Sequence, residues 1–301
     1  MASRILIIFP GALGDLILLA PTIAAIARRH RGADLELMAR YELAKFAVGR
    51  LNIIGAHSID RREVAVLFRP EQNEPDEAHL FFGVFDRIYC FFNADDDGFR
   101  RRLIEACAPG EATFHRFRPD AEGHVAAAYM KDVIGNAQLD EIAINLPPSD
   151  LESASCAIPP IAAEKKFIAI FPGSGSPKKN WPIEKFCALA DSLNAKTRAV
   201  FVLGPAEDSI EGVLRIAGHI IIKNQPLGTV AAIARMASAF VANDSGVSHL
   251  AAAAGTPGVV LFGPSDPARW RPLGRVTVLH RDPIGAISVA DVVNALMLER
   301  P

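Results

Sequence analysis

The chain is poor in several features, and each scarcity removes a class of protein. Only four cysteines occur in 301 residues, Cys90, Cys107, Cys156 and Cys187. No two stand in a C-x-x-C pair, so neither a zinc ribbon nor a dithiol redox site is encoded, and a chain this long has no need of a disulfide scaffold. A reduced, cytoplasmic setting is the expectation. Excess charge of one sign is missing as well: 32 basic residues stand against 34 acidic ones, for a formal net charge of −2. There is no broad positive field to attract nucleic acid, and no nucleic-acid partner is expected. No apolar run reaches the roughly 20 residues of a membrane-spanning helix. Ile5–Phe9 is strand-sized and is broken by Pro10-Gly11, so the N-terminus does not read as a signal peptide. Fixed-period repeats and low-complexity tracts are absent too.

What is present is apolar sequence in quantity, 50% of the chain. That length and composition suit two domains better than one core. Leu146–Pro160 carries Pro147-Pro148, several serines and Pro159-Pro160, and reads as an extended linker. It divides an N-terminal domain, 1–150, from a C-terminal domain, 161–301. The terminal helix, opened by the capping box Ser288-Val289-Ala290-Asp291, is a candidate to pack back on the N-terminal domain. In the first domain, strands are expected at Ile5–Phe9, Leu35–Met38 and Phe85–Phe92, with a helix over Asp15–Arg29. Glu71–Glu77 reads as a polar surface loop, and Arg61–Phe82 has no clear period. In the second, strands at Phe167–Phe171, Ala199–Leu203, Ile220–Ile222, Phe240–Ala242 and Val259–Phe262 alternate with helices. Such alternation implies an α/β fold with a mainly parallel sheet covered on both faces.

In such sheets ligands sit beyond the carboxyl ends of the strands, near helix N-termini. Three loops there hold more than turn residues require. Asn243-Asp244-Ser245-Gly246-Val247-Ser248-His249 follows a strand and opens a helix. Its first-turn N–H groups and the helix dipole suit a phosphate, Gly246 permits close approach, and His249 lies one turn on. The plainer reading makes Asp244 or Ser245 a helix cap and His249 a core residue. Gly173–Pro182 delivers Lys178 and Lys179 to a strand end, although it is neither a P-loop nor a complete dinucleotide fingerprint. Surface lysines on a solvated turn are the alternative. Gly11-Ala12-Leu13-Gly14-Asp15 follows the first strand, where Asp15 is either a cap or a carboxylate able to accept a hydroxyl proton. Asp95-Asp96-Asp97 has a D-x-D spacing, but an acidic surface loop is the better reading, and no metal site is expected. No G-x-S-x-G elbow is present.

Together, F-P-G-A-L-G-D-L-I-L-L-A-P (Phe9–Pro21), K-N-W-P (Lys179–Pro182), N-D-S-G-V-S-H-L-A-A-A (Asn243–Ala253) and F-G-P-S-D-P (Phe262–Pro267) resemble glycosyltransferase family 9, the heptosyltransferase family of the GT-B superfamily. The motifs span both halves in the family's order. The resemblance implies two Rossmann-like domains with mainly parallel sheets facing a cleft. It implies an inverting, metal-independent transferase that moves a sugar, typically heptose from ADP-heptose, to a saccharide or glycolipid acceptor in lipopolysaccharide biosynthesis. It assigns Asp15 as general base and Lys179 as the cation that stabilises the departing diphosphate. Gly14, Ser174, Glu207, Asp244, Ser245, Gly246 and His249 fall on the donor side, with Glu207 matching an acid that holds the ribose. No cofactor beyond the nucleotide-sugar donor is implied. A lipid-linked acceptor would bring peripheral contact with the inner membrane, for which Arg28–Arg31 and Arg100–Arg102 are candidate headgroup contacts. The family's D-x-Q-G-like segment is replaced here by Tyr89–Asp95. That departure leaves two alternatives open, a non-catalytic nucleotide-sugar-binding protein and a GT-B-like nucleotide-sugar epimerase.

Overall fold

The computed structural model describes residues 2–69, 76–119, 122–139, 142–160, 166–193 and 197–298. The chain separates into two compact units, Met1–Asp140 and Glu141–Pro301.

The first unit carries a five-stranded sheet. Its strands are β1 (Arg4–Ile8), β2 (Asp34–Ala39), β3 (Gly55–Ser58), β4 (Arg87–Cys90) and β5 (Glu111–Phe114). They lie in the order β3-β2-β1-β4-β5, and every pairing is parallel. The central strand β1 is apolar on both faces, with Ile5 to Ile8 all buried, as a strand with helices above and below must be. The helix Leu13–Arg29 follows it directly.

The second unit carries six strands: β6 (Lys166–Phe171), β7 (Thr197–Leu203), β8 (Ile220–Lys223), β9 (Ala239–Asn243), β10 (Gly258–Phe262) and β11 (Val276–His280). The order is β11-β10-β9-β6-β7-β8, again wholly parallel. Each unit is therefore a doubly wound α/β sheet, the α/β fold expected from the alternating apolar runs.

The structure departs from the expectations in places that share a cause. Leu146–Pro160 is not an extended linker: Pro148–Ala157 is a helix. Pro148 stands in its first turn, where a fixed φ favours helix and the missing N–H costs nothing. Ala154 is buried, and the helix packs on that of Leu227–Met236. The unit boundary falls earlier, at Asp140/Glu141. The terminal helix Val289–Leu298 has the expected capping box, with Ser288 N–H donating to Asp291 Oδ2 at 3.0 Å and Asp291 N–H to Ser288 Oγ at 3.1 Å. It lays Val292, Ala295 and Leu296 into the second unit's own core. Within Arg61–Phe82, Arg62–Val66 and Asp76–Phe82 are short helices whose Val64, Ala78 and Phe82 join the first unit's core. Of the expected loop Glu71–Glu77, residues 71–75 lie outside those described, and Asp76 and Glu77 belong to the second of these helices.

Candidate active site

Strand order fixes where each unit can hold a ligand. In the first sheet β1 leads to β2 on one side, and the chain later returns to place β4 on the other. In the second, β6 leads to β7 and β8 on one side, and β9 lies on the other. Helices after such a pair leave on opposite faces of the sheet, which opens a crevice at the strand ends. The loops singled out in the sequence stand at these two switch points.

In the second unit, the loops after β6 and β9 meet. Lys179 Nζ lies 2.6 Å from Asp244 Oδ2, although the two residues are far apart in sequence. Asp244 is 5% exposed. Asn243, fully buried, joins the same two loops: its Nδ2 donates to Pro172 O at 2.7 Å, and its Oδ1 accepts Trp181 N–H at 3.0 Å. Trp181 is itself anchored, its Nε1–H donating to Ile287 O at 3.0 Å and its ring meeting Phe186 edge-on. Lys179 thus stands on a rigid support. Its neighbour Lys178 is exposed to solvent.

The helix Gly246–Ala253 begins at this point. Its cap is made by Ser248, whose Oγ accepts Ser245 N–H at 3.4 Å and donates to Ser245 O at 2.7 Å. Ser245 Oγ is covered and has no hydrogen-bond partner, so Ser245 is not spent as the side-chain cap. Gly246 is the first helical residue, and His249 is buried one turn on. Ser174 is turned to its own loop: its hydroxyl lies 2.6 Å from Asn180 Oδ1 and accepts Ser176 N–H at 3.2 Å. Glu207 Oε2 accepts Gly204 N–H at 2.7 Å. A Cβ on Gly173 would stand 2.0 Å from Glu207 Oε1, so glycine is required for the loop after β6 to pass this carboxylate where it lies.

In the first unit, Asp15 sits in the first turn of Leu13–Arg29 and is 5% exposed; Gly14 precedes it in that turn. The cap reading holds in part, since Asp15 Oδ2 accepts Ala12 N–H at 3.1 Å. Gly11 permits this turn, because a Cβ there would stand 2.4 Å from the Phe9 ring and 2.7 Å from Asp15 Cβ. The main partner of Asp15 is one the sequence did not reveal. Arg118 Nε donates to Asp15 Oδ1 at 3.0 Å, and Arg118 Nη2 to Asp15 Oδ2 at 2.9 Å. The hydrogen bonds to Asp15, and the carboxylate's charge, hold the guanidinium pKa above its ordinary value.

Beside this pair lies a pocket of about 680 Å³ lined by Phe91, Asn93, Ala94, Asp95, Asp96, Arg116, Phe117 and Arg118. Asp96 caps the helix Asp97–Cys107 by accepting Phe99 N–H at 2.8 Å. Among the described residues, no group of three or more His, Cys, Asp or Glu side chains is placed to hold a metal ion. Of the basic stretches, Arg29 is engaged with Val133 O and Ile134 O, and Arg102 with Leu67 O, so neither guanidinium is simply presented to solvent. No described helix is long and apolar enough to cross a membrane.

Known proteins share the sequence around the second unit's site and the fold of both units. The profile of glycosyltransferase family 9 (heptosyltransferase) matches residues 136–286, half of the chain. The chain belongs to glycosyltransferase family 9. It is 30% identical over 181 residues to lipooligosaccharide heptosyltransferase 2 of Haemophilus influenzae, an alignment covering 52% of this chain and 50% of that protein. It is 28% identical over 166 residues to lipopolysaccharide heptosyltransferase 2 of Escherichia coli, covering 50% and 48%. The chain thus spans about half the length of the curated relatives it matches. Solved structures extend the likeness in fold to both units. A family 9 glycosyltransferase from Veillonella parvula superposes with a TM-score of 0.79 at 19% identity, covering 99% of this chain and 97% of that one. The Escherichia coli ADP-heptose heptosyltransferase II gives 0.75 at 17%, covering 98% of each. The fold is that of the GT-B family 9 enzymes.

Proposed function

We propose that this chain is an inverting glycosyltransferase that moves a sugar, heptose from ADP-heptose, onto a saccharide or lipid-linked acceptor. The observation that carries the reading is the Lys179–Asp244 pair beside the Gly246–Ala253 helix N-terminus, at the switch point of the second sheet in a family 9 chain. The matched relatives are named as heptosyltransferases, and one solved neighbour is named for ADP-heptose.

The chemistry follows from what each site can supply. A nucleoside diphosphate leaving group gains negative charge as its bond to the anomeric carbon breaks. Lys179 and the backbone N–H groups of Gly246 and Val247, at the start of the helix, stabilise that charge where it grows. Fixed positive charge of this kind serves the departure without a metal ion. Ser245 Oγ, covered and without a partner, is available as a further donor to the phosphates. Asp244 holds Lys179 in place and is assigned to the donor sugar. Glu207 is assigned to the ribose hydroxyls.

Asp15 is assigned as general base. In the transfer step the acceptor hydroxyl gives its proton to an Asp15 carboxylate oxygen. The hydroxyl oxygen forms the new bond to the anomeric carbon, and the bond to the diphosphate breaks with its electron pair leaving on the diphosphate. Attack opposite the leaving group inverts the centre. For a lipid-linked acceptor, the protein would work at the cytoplasmic face of the inner membrane.

The experiment is a thermal-shift screen of nucleotide-sugars, followed by transfer assays with the best donor on wild-type protein and Asp15→Asn. Ligand that binds only the folded state raises the melting temperature without any acceptor. ADP-heptose is expected to stabilise both proteins alike, while transfer is lost in the variant. Binding without turnover on any acceptor, or release of an epimerised donor without transfer, would replace this reading by the binding-protein or epimerase alternative.

A further inference from the structure

Asp15 is placed as a base yet held as half of an ion pair. Arg118 occupies both carboxylate oxygens, and Ala12 N–H adds a third donor to Oδ2. Both carboxylate oxygens are thus taken up by donors, and an acceptor hydroxyl must compete with them for a lone pair. Asp15 is also nearly buried and does not line the neighbouring pocket, whereas Arg118 does. The Arg118 side chain is 51% exposed, and its guanidinium lies over the Phe117 ring at 5.0 Å. Arg118 therefore stands between the carboxylate and the pocket, with one side on each.

We propose that Arg118 is a latch on Asp15, opened by an oxyanion carried on the acceptor. A phosphate monoester or a carboxylate entering the pocket meets Arg118 and Arg116 in its lining. A guanidinium binds either oxyanion through the same two-point geometry that it uses on Asp15. As the incoming group takes over these donors, Asp15 keeps the Ala12 N–H and regains lone pairs for the acceptor hydroxyl. The Phe117 face continues to support the guanidinium as it turns. Asp95 and Asp96, which also line the pocket, disfavour a densely charged ligand and suit the hydroxyls of a sugar that bears a single anionic group. The backbone here is held in an uncommon form. Asn93 (φ 47°) and Arg118 (φ 54°) both line the pocket in the left-handed region that non-glycine residues rarely adopt. Arg118 is a positioning residue, acting through Asp15, and it makes the reaction depend on the acceptor's charge.

The inference rests on the transferase reading, and its test separates the two. Three acceptors with the same reacting hydroxyl are compared with ADP-heptose as donor: one bearing a phosphate monoester, one a carboxylate and one neither. The wild-type protein is expected to prefer the charged forms by about 10- to 100-fold in kcat/KM, the range of hydrogen bonds to a charged group. The two charged arms show which oxyanion opens the latch. In Arg118→Gln the preference collapses, and kcat on the neutral acceptor rises because Asp15 is no longer masked. Arg118→Lys keeps the charge without the fork and retains part of the preference. Melting curves establish that each variant is folded, and Arg118→Lys serves alone if Arg118→Gln is not. Equal wild-type rates on all three acceptors overturn the latch and leave the transferase reading standing. So does a fall in kcat by the same factor on all three in the Arg118 variants, the result of a merely structural role. Failure of any acceptor to receive sugar overturns the transferase reading and the latch with it.

Discussion

Lys179 Nζ and Asp244 Oδ2 stand 2.6 Å apart, with the carboxylate side chain 6% exposed and the lysine 34%. The pair joins the two loops that flank the switch point of the second sheet. Removing the lysine leaves a nearly buried carboxylate facing the proposed diphosphate. Charged hydrogen bonds contribute about 1.5–3 kcal/mol, so Lys179→Met is expected to weaken donor binding roughly 10- to 100-fold. Neutralising the orphaned acid should recover part of that loss. The Lys179→Met/Asp244→Asn double variant should bind donor more tightly than Lys179→Met alone. Calorimetric titration of the singles and the double measures the coupling, and strict additivity would show that the pair does not act as a unit.

Asn243 is the staple beneath that pair. Replacement by Ala strips Pro172 O and Trp181 N–H of their Asn243 partners. Each buried polar group left without a partner costs about 1–3 kcal/mol. Asn243→Ala is therefore expected to lower the melting temperature by several degrees and to weaken donor binding by loosening Lys179. Asn243→Asp restores an acceptor for Trp181 but offers no donor to Pro172 O, so it should rescue little. An unchanged melting temperature in Asn243→Ala would falsify the staple.

Gly173 and Glu207 make a different kind of pair, a close approach rather than a bond. An added methyl at Gly173 would collide with the end of a flexible side chain, which can swing aside. Gly173→Ala is accordingly expected to cost less than about 1 kcal/mol in stability, within the range of ordinary substitutions, while moving the Glu207 carboxylate off Gly204 N–H. Donor affinity should fall by a similar factor in Gly173→Ala and Glu207→Ala, with no further loss in the double variant. A clear additional loss in the double would separate the two residues.

Glu36 supplies a pH dependence. Burial alone would raise its carboxyl pKa, but hydrogen bonds from His57, at 2.6 Å, and Arg4, at 2.7 Å, outweigh it and hold the group below its ordinary value. The folded protein thus prefers the ionised form more than the unfolded chain does. The stabilisation is present above the unfolded-state value and is lost as pH falls through the folded one. Urea unfolding across this acid range should show wild-type stability declining more steeply than that of Glu36→Gln. The variant itself should be less stable near neutrality by about 1.5–3 kcal/mol, the usual contribution of hydrogen bonds to a charged group. Parallel curves for the two proteins would remove Glu36 from the acid response.

The elements legible in the sequence are those whose neighbours along the chain decide them. The buried strands β1, β6, β9 and β10 are continuous apolar runs, and the helices after them open on loops of small and capping residues. These runs carry the α/β class, the two units and the loops bearing Asp15, Lys179 and Asp244. The edge strands β3 and β11 and the edge strand β5 are not legible, because half-exposed strands need no unbroken apolar run. The helix Pro148–Ala157 reads as linker because its proline and serines are ambiguous until Ala154 finds a surface to pack on.

Tertiary structure alone decided what the site residues touch. Asn243 is legible only as the residue before Asp244, and its work is to join Pro172 to Trp181. Arg118 carries no signal at all, because its partner lies 103 residues earlier and meets it only through the parallel order β1-β4-β5. The sequence by itself determined which chemical groups stand at the strand ends, since local pattern and turn chemistry place them there. Which of those groups are paired, held or masked was determined by strand order, because that order brings loops distant in the chain to one crevice.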